Sequence, residues 1–425
     1  MLALIFKQIY TTIEHPLARK KVECPRITWK IVRAVQEVLQ EGSIYETLLQ
    51  QHYKWAIRLN RASLTLLGVW PKNNETKQKK MMSNVCTILI LNTAICGCLI
   101  PTVHSLFKVW GNIMSMIDNL QYTLPLTIAI TKLCIVWLRK EDVLPLLNMI
   151  KDDWLKPKMI KERHIMIKRA RIARMFTIFG YIIMLISFNL CAVLPAFGIS
   201  IRYMTNETDP GKIVPLQSYY IYDRDKSPYY EITYIVQSLG MSAAAFMYTT
   251  VDSFLGLLIF HVCGQLENLK IRITQLDKFQ NFENALSHSV QDHIRLIRFI
   301  NMIDEIFTLM LLGALFYFGV LFALHGFLLG TMVTQGRDMS LPRLTFIMTV
   351  SVNMFAHTCL YCAVGEILVV QCEGVYEAAC KYKWYNLEPK KAKNLMMIMI
   401  RANKSLYLTA GKLFPMTMST FCNVS

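Results

Sequence analysis

Apolar positions along the chain gather into six long runs separated by polar, basic segments. The runs cover about Ser83 to Phe107, Ile113 to Leu138, Met175 to Ile201, Tyr229 to Val262, Ile303 to Leu329 and Leu344 to Val370. Each holds the ~20 apolar-dominated residues that a helix needs to cross the hydrocarbon core of a bilayer. Several are longer, which predicts tilt or a continuation beyond the lipid. A seventh run begins near Leu406 and continues towards the C-terminus. The pattern predicts an all-α, polytopic membrane protein built as a seven-helix bundle. Residues 1–82 form an N-terminal segment, 83–370 six spans, 371–405 anchor helices and 406–425 the start of the seventh helix.

Composition sharpens this reading. Hydrophobic residues make up 54% of the 425 positions and charged residues 18%, below the roughly 25% usual for soluble domains. A net charge of +17 raises the possibility of a nucleic-acid partner, but the cations lie between the apolar runs, where a positive-inside signal places them. The N-terminal segment and the segments 139–174, 261–300 and 372–404 carry 14, 11, 5 and 7 Lys plus Arg, against 1, 4 and 2 in the loops after the first, third and fifth spans. This asymmetry predicts an N-terminus inside the cell. The opening MLALIFKQIY has too short an apolar core for a cleaved signal peptide.

With that orientation 202–228 is the large outer loop, and it contains the sequon Asn206-Glu207-Thr208. Asn206 is therefore the candidate glycosylation site. Asn74, Asn403 and Asn423 also open sequons, two of them on the predicted inside. Trp70, in Leu67-Gly68-Val69-Trp70-Pro71, suits an aromatic anchor at the membrane interface.

The sequence carries no enzymatic signature. It has no phosphate-binding Gly loop, HExxH or GxSxG motif, and nothing implies a metal or cofactor. The CxxC of Cys359 and Cys362 falls inside an apolar run, where the two read as small helix residues. Asp252 and Glu366 sit in the inner portions of the fourth and sixth spans. Charge in hydrocarbon is costly, so such residues are functional candidates, or else lie in helix extensions beyond the lipid. Lys132, in the second span, is long enough to snorkel to the inner interface.

The last fifty residues hold the most specific pattern. Lys383-Trp384-Tyr385-Asn386 is followed by Leu408-Thr409-Ala410-Gly411-Lys412, then Phe414-Pro415 and Thr420-Phe421. This resembles the C-terminal signature of insect odorant receptors, the heptahelical ligand-gated cation channels. Leu67-Gly68 with Trp70-Pro71 and Pro228-Tyr229-Tyr230-Glu231 extend the resemblance over nearly the whole chain. It implies a tuning subunit at the plasma membrane, in the dendrites of olfactory neurons. Such a subunit binds a volatile odorant and assembles with a shared co-receptor, as a tetramer, into an odorant-gated cation channel. The short connection from Val262 to Asn301 sets the chain apart from the co-receptor, which carries a longer insertion there.

An odorant site is mainly apolar and aromatic with one or two polar handles. Tyr122, Phe188, Tyr234, Met241, Phe318, Phe322 and Phe346 lie in the outer halves of the spans and form the candidate set; ordinary packing is the alternative for each. Trp384 and Tyr385, in an aromatic and Met-rich segment outside the membrane, are the candidate subunit anchor. Met416, Met418 and Phe421 are the candidate pore or gate residues of the last helix, where dewetting can gate.

Ser405 stands where the family commonly has proline and Ser419 where it often has glutamate. From Thr409 the sequence given has 17 residues, fewer than the ~20 of a full crossing, so the last helix is expected to be truncated. Rival readings are a gustatory receptor of the same superfamily, whose Thr-Tyr and Gln-Phe signature is absent, a membrane transporter, for which no internal repeat is found, and a non-conducting truncated subunit.

Overall fold

The computed structural model describes residues 26–72, 75–156, 158–199, 211–220, 222–335 and 341–424, with side chains at all of these except 26–45, 332–335, 341–343, 346, 421, 423 and 424. The chain divides into two compact units, residues 1–55 with 151–157 and residues 56–150 with 158–425. In the first, the described residues 26–55 and 151–155 are helical. The second holds all the long apolar runs.

The helices are α1 (Arg26–Leu66), α2 (Lys77–Ala94), α3 (Ile100–Lys108), α4 (Ile113–Leu138), α5 (Lys140–Leu155), α6 (Ile160–Phe188), α7 (Tyr229–Thr274), α8 (Phe282–Gln335), α9 (Leu341–Lys381), α10 (Pro389–Ala402) and α11 (Met418–Val424). Among the described residues, six helical stretches are long and apolar enough to cross a membrane. The first is α2 joined to α3 through a wide π turn, Ile95–Leu99. Pro101 has no N–H to give the Gly97 carbonyl, which explains the widened turn just before it. The other five spans lie in α4, α6, α7, α8 and α9.

Span boundaries follow the hydropathy pattern closely where capping or a turn fixes them. The second span runs Ile113–Leu138, and Asn112 accepts a hydrogen bond from Ser115 N at its start, as an N-cap does. The fourth starts at Tyr229, directly after Pro228. α7 is the hub, packing against α2, α4, α6, α8 and α9. Its buried residues continue around the helix, including Val251, Phe254, Leu258, Val262, Cys263 and Leu266, the pattern of a helix with neighbours on all sides.

Trp70 is buried within the protein (7% exposed) and not at a free surface. The turn it belongs to is pinned by Lys140, whose ammonium donates to Gly68 O (3.2 Å) and Ser83 Oγ (3.0 Å), while Thr87 Oγ1 donates to Leu67 O (2.7 Å). Burial holds the Lys140 pKa below its ordinary value, opposed by the nearby Glu75 carboxylate.

The largest departure from the sequence reading lies at the C-terminal end. The expected helix from Leu406 is replaced by a two-stranded antiparallel hairpin, β1 (Thr409–Ala410) paired with β2 (Phe414–Pro415), and the helix begins only at Met418. Gly411 and Lys412 at the turn have φ of 62° and 61°, a left-handed conformation that no helix continues through. A Cβ on Gly411 would stand 2.6 Å from Leu312 Cδ2 on α8, so the residue combines the turn with a close approach.

Candidate functional site

Between the spans lies a cavity of about 650 Å³, within the size range of small-ligand sites. Its wall is mainly apolar. Leu126 and Ala129 come from α4, Phe176, Phe179 and Ile183 from α6, Ala244 and Ala245 from α7, Leu321 from α8, and Met354 and Leu360 from α9. The loop after α6 adds Leu216, which is 1% exposed. Its backbone N–H donates to Gln237 Oε1 (3.0 Å), and Gln237 Nε2 donates to Ser218 Oγ (2.6 Å) and Tyr220 OH (3.0 Å). Burial raises the Tyr220 phenol above its ordinary pKa.

One side of the wall is ionic. Lys132 Nζ donates to both oxygens of Asp252 (2.7 and 2.9 Å) and to Tyr361 OH (2.8 Å), and it stands 3.4 Å from the centre of the Tyr248 ring. Asp252, Tyr248 and Tyr361 are wall residues. Lys132 therefore does not snorkel, because an acidic partner on α7 satisfies its charge inside the bundle. A charged pair in hydrocarbon persists only with such compensation. Beside it, His357 Nδ1 donates to Asn353 O (3.0 Å), and its ring meets Tyr248 edge-on at 6.0 Å.

The cavity also reaches the C-terminal hairpin through Leu408 and Met416. Met416 N donates to Leu408 O (2.8 Å). Asp304 of α8 fixes the hairpin. It accepts from Thr409 N (2.6 Å), Thr409 Oγ1 (2.8 Å) and the Lys412 ammonium, and Gly411 N donates to Thr308 O (2.8 Å). Glu366, a candidate from its place in the sixth span, accepts from Met418 N (3.2 Å) at the first residue of α11. Gly365 lies against the Met416 carbonyl, to which a Cβ would come within 2.0 Å.

Of the residues picked from the sequence for a ligand, the structure brings Tyr122, Met241 and Phe318 to the cavity wall. Phe188 is half-buried near the end of α6, outside the wall. The Tyr234 hydroxyl is engaged by Ala192 O at 2.6 Å, also outside it. Phe322 packs on the cluster of Ala314, Tyr317, Phe318, Leu321 and Met354. Of the residues picked for the gate, Met416 is buried in the cavity wall and Met418 is half-buried at the start of α11. The side chains of Phe346 and Phe421 lie outside the described residues, as does Asn206. Trp384 is half-buried and Tyr385 is 68% exposed, their rings edge-to-face at 6.1 Å.

Sequence reasoning missed Gln121, the Lys132–Asp252 pair and its two tyrosines, and the third-span residues of the wall. A lysine and an aspartate, of opposite sign, each inside an apolar run was the available signal for the pair.

Comparison with known proteins agrees with this architecture. The family model described as 7tm odorant receptor matches residues 112–425. Odorant receptor 10 of Aedes albopictus is 24% identical over 205 residues, covering 47% of this chain and 53% of the relative. Odorant receptor Or2 of Anopheles gambiae is 22% identical over 206 residues, covering 46% and 53%. The chain thus matches about half the length of these curated relatives. Among solved structures, the olfactory receptor OR5 of Machilis hrabei in complex with eugenol superposes with a TM-score of 0.74 at 14% identity, over 89% of this chain and 96% of that one. A second structure of the same receptor gives 0.74 at 15%, over 88% and 96%. At such identity the superposition speaks for the fold, and the matched family model for kinship. This chain belongs to the 7tm odorant receptor family.

Proposed function

We propose that this protein is an odorant receptor subunit that binds volatile compounds in the cavity between its spans and, with a co-receptor, forms an odorant-gated cation channel in the plasma membrane. The observation that carries the reading is the continuity of one wall. The cavity is lined by five of the spans and also by Leu408 and Met416, on either strand side of the hairpin that leads into α11. A ligand that fills it touches both the bundle and the segment joined to the last helix. Differential affinity for two arrangements of that hairpin shifts the population between closed and open states.

Several finer assignments go with this reading. Met416 couples ligand to helix, and Met418 and Phe421 stand nearest the path for ions. The exposed Tyr385 and its neighbour Trp384 form the anchor against other subunits on the cytosolic side, and Asn206 carries glycan outside. The receptor works in the dendritic membrane of olfactory neurons. The Machilis receptor was solved with eugenol, which makes eugenol a reasonable first probe here.

The test is to express the chain with an odorant receptor co-receptor and record current during puffs of eugenol and a panel of other volatiles. Current that depends on odorant and requires this chain is the expected result. A surface-expressed complex that stays silent across the panel, with no volatile bound by the purified chain, would remove the proposal.

A further inference from the structure

The second span contains a proline inside its helix, Pro125, and both Pro125 and Gln121 lie on the cavity wall. Proline brings no N–H, so the carbonyl four residues earlier, that of Gln121, lacks the donor an uninterrupted helix supplies. The Gln121 side chain shows the same deficit. It is 7% exposed, and its Oε1 is buried without a hydrogen-bond partner. Gln121 Oε1 is thus an unpaired acceptor on a mainly apolar wall.

Three donors in or beside the wall are already engaged. The Lys132 ammonium is taken by Asp252 and Tyr361. Thr349 Oγ1 donates to Thr345 O (2.7 Å). On the sixth span His357 donates its Nδ1 proton to Asn353 O.

We infer that Gln121 is a specificity-determining residue and that the cavity prefers volatile alcohols and phenols over their ethers and parent hydrocarbons. A ligand that displaces solvent from Gln121 must replace the lost hydrogen bonds or lose affinity. A hydroxyl can donate to Oε1 and can accept from the side-chain N–H₂. An ether or ester only accepts, and a hydrocarbon does neither. An amine also donates, but it is charged in water and loses more on entering an apolar site. This inference rests on the reading of the cavity as an odorant site and adds the chemical class of odorant.

The experiment uses the full chain, purified in detergent, titrated with three matched probes: 4-propylphenol, 4-propylanisole and propylbenzene. Ligand-induced thermal stabilisation gives an apparent affinity for each. The expected result is a phenol preference of about fivefold or more over both partners, the size of one net hydrogen bond. That preference falls to about one in Gln121→Leu or, should that variant misfold, in Gln121→Met. Equal affinity for the three probes, or a preference that survives in the variants, overturns the inference while the odorant site itself stands. Stabilisation by none of the three overturns the site as well.

Discussion

Lys132 and Asp252, 120 residues apart in sequence, meet inside the helical bundle with Nζ 2.7 Å from Oδ1 and 2.9 Å from Oδ2. The lysine side chain is 1% exposed and the aspartate 20%. The pair ties the second span to the fourth, and through Tyr361 to the sixth. Removing one member leaves the other without a counter-charge. Lys132→Met is expected to destabilise the protein by about 3 kcal/mol, the low end for a broken buried pair because Asp252 borders the cavity. The double variant Lys132→Met with Asp252→Leu should recover much of that loss. Thermal unfolding of the purified variants checks this; a double variant no better than the single one would show that charge compensation is not what the pair provides.

The hairpin depends on Asp304 in a comparable way. Asp304→Asn keeps the shape but removes the charge that holds the Thr409 amide and the Lys412 ammonium. Hydrogen bonds to charged groups are worth about 1.5–3 kcal/mol each. A loss of ~2 kcal/mol corresponds to roughly 30-fold faster local opening. Hydrogen exchange over 406–416 should speed up by that order, while α7 stays protected. Unchanged exchange would mean that packing by Leu408 and Met416 holds the hairpin without the carboxylate.

Gly365 and Gly319 make a controlled pair. A methyl on Gly365 meets the Met416 carbonyl, whereas one on Gly319 meets nothing within 4 Å. Gly365→Ala should therefore cost about 1–3 kcal/mol through overpacking, whereas Gly319→Ala should be neutral or gain about 0.5–1 kcal/mol from helix propensity. Melting temperatures of the two variants decide it. Equal values would show that the hairpin yields to the added methyl at no cost.

The cavity can be tested by filling it. Ala245 is a half-buried wall residue of the fourth span, and Ala245→Phe puts a ring into the space a ligand needs. The response to eugenol, or to whichever volatile is found active, should need at least about tenfold more ligand, ~1.4 kcal/mol of lost affinity. An unchanged dose–response curve in cells with equal surface expression would place the odorant elsewhere.

Much of the fold was legible in the hydropathy pattern. The pattern predicts span ends at Ile113, Leu138 and Tyr229, and these are helix ends, because turn and capping residues stand beside them in sequence. The hairpin at Thr409 to Pro415 was not legible. Strands of two residues are too short to show a period, and the apolar residues around them read equally well as the first turn of a helix. Lys132 shows the other limit. Local sequence fixes how far along a span a residue lies, but which neighbour it faces depends on helix rotation, which only long-range packing sets. For the same reason Tyr122, Met241 and Phe318 arrive on the cavity wall while Phe188, Tyr234 and Phe322, chosen by the same rule, are turned elsewhere.

Leu216, folded in from the loop after the third span, has a bearing on how a ligand arrives. It lines the cavity and is held there through Gln237, whereas the wall residues Phe179, Ile186, Val352 and Leu360 are exposed on the third and sixth spans. Under the proposed function, a volatile dissolved in the bilayer meets these side chains first. Two odorants with equal affinity as measured from the membrane phase would then differ in aqueous potency by the ratio of their oil–water partition coefficients. Potencies measured across a homologous alcohol series should collapse onto one curve once divided by membrane uptake.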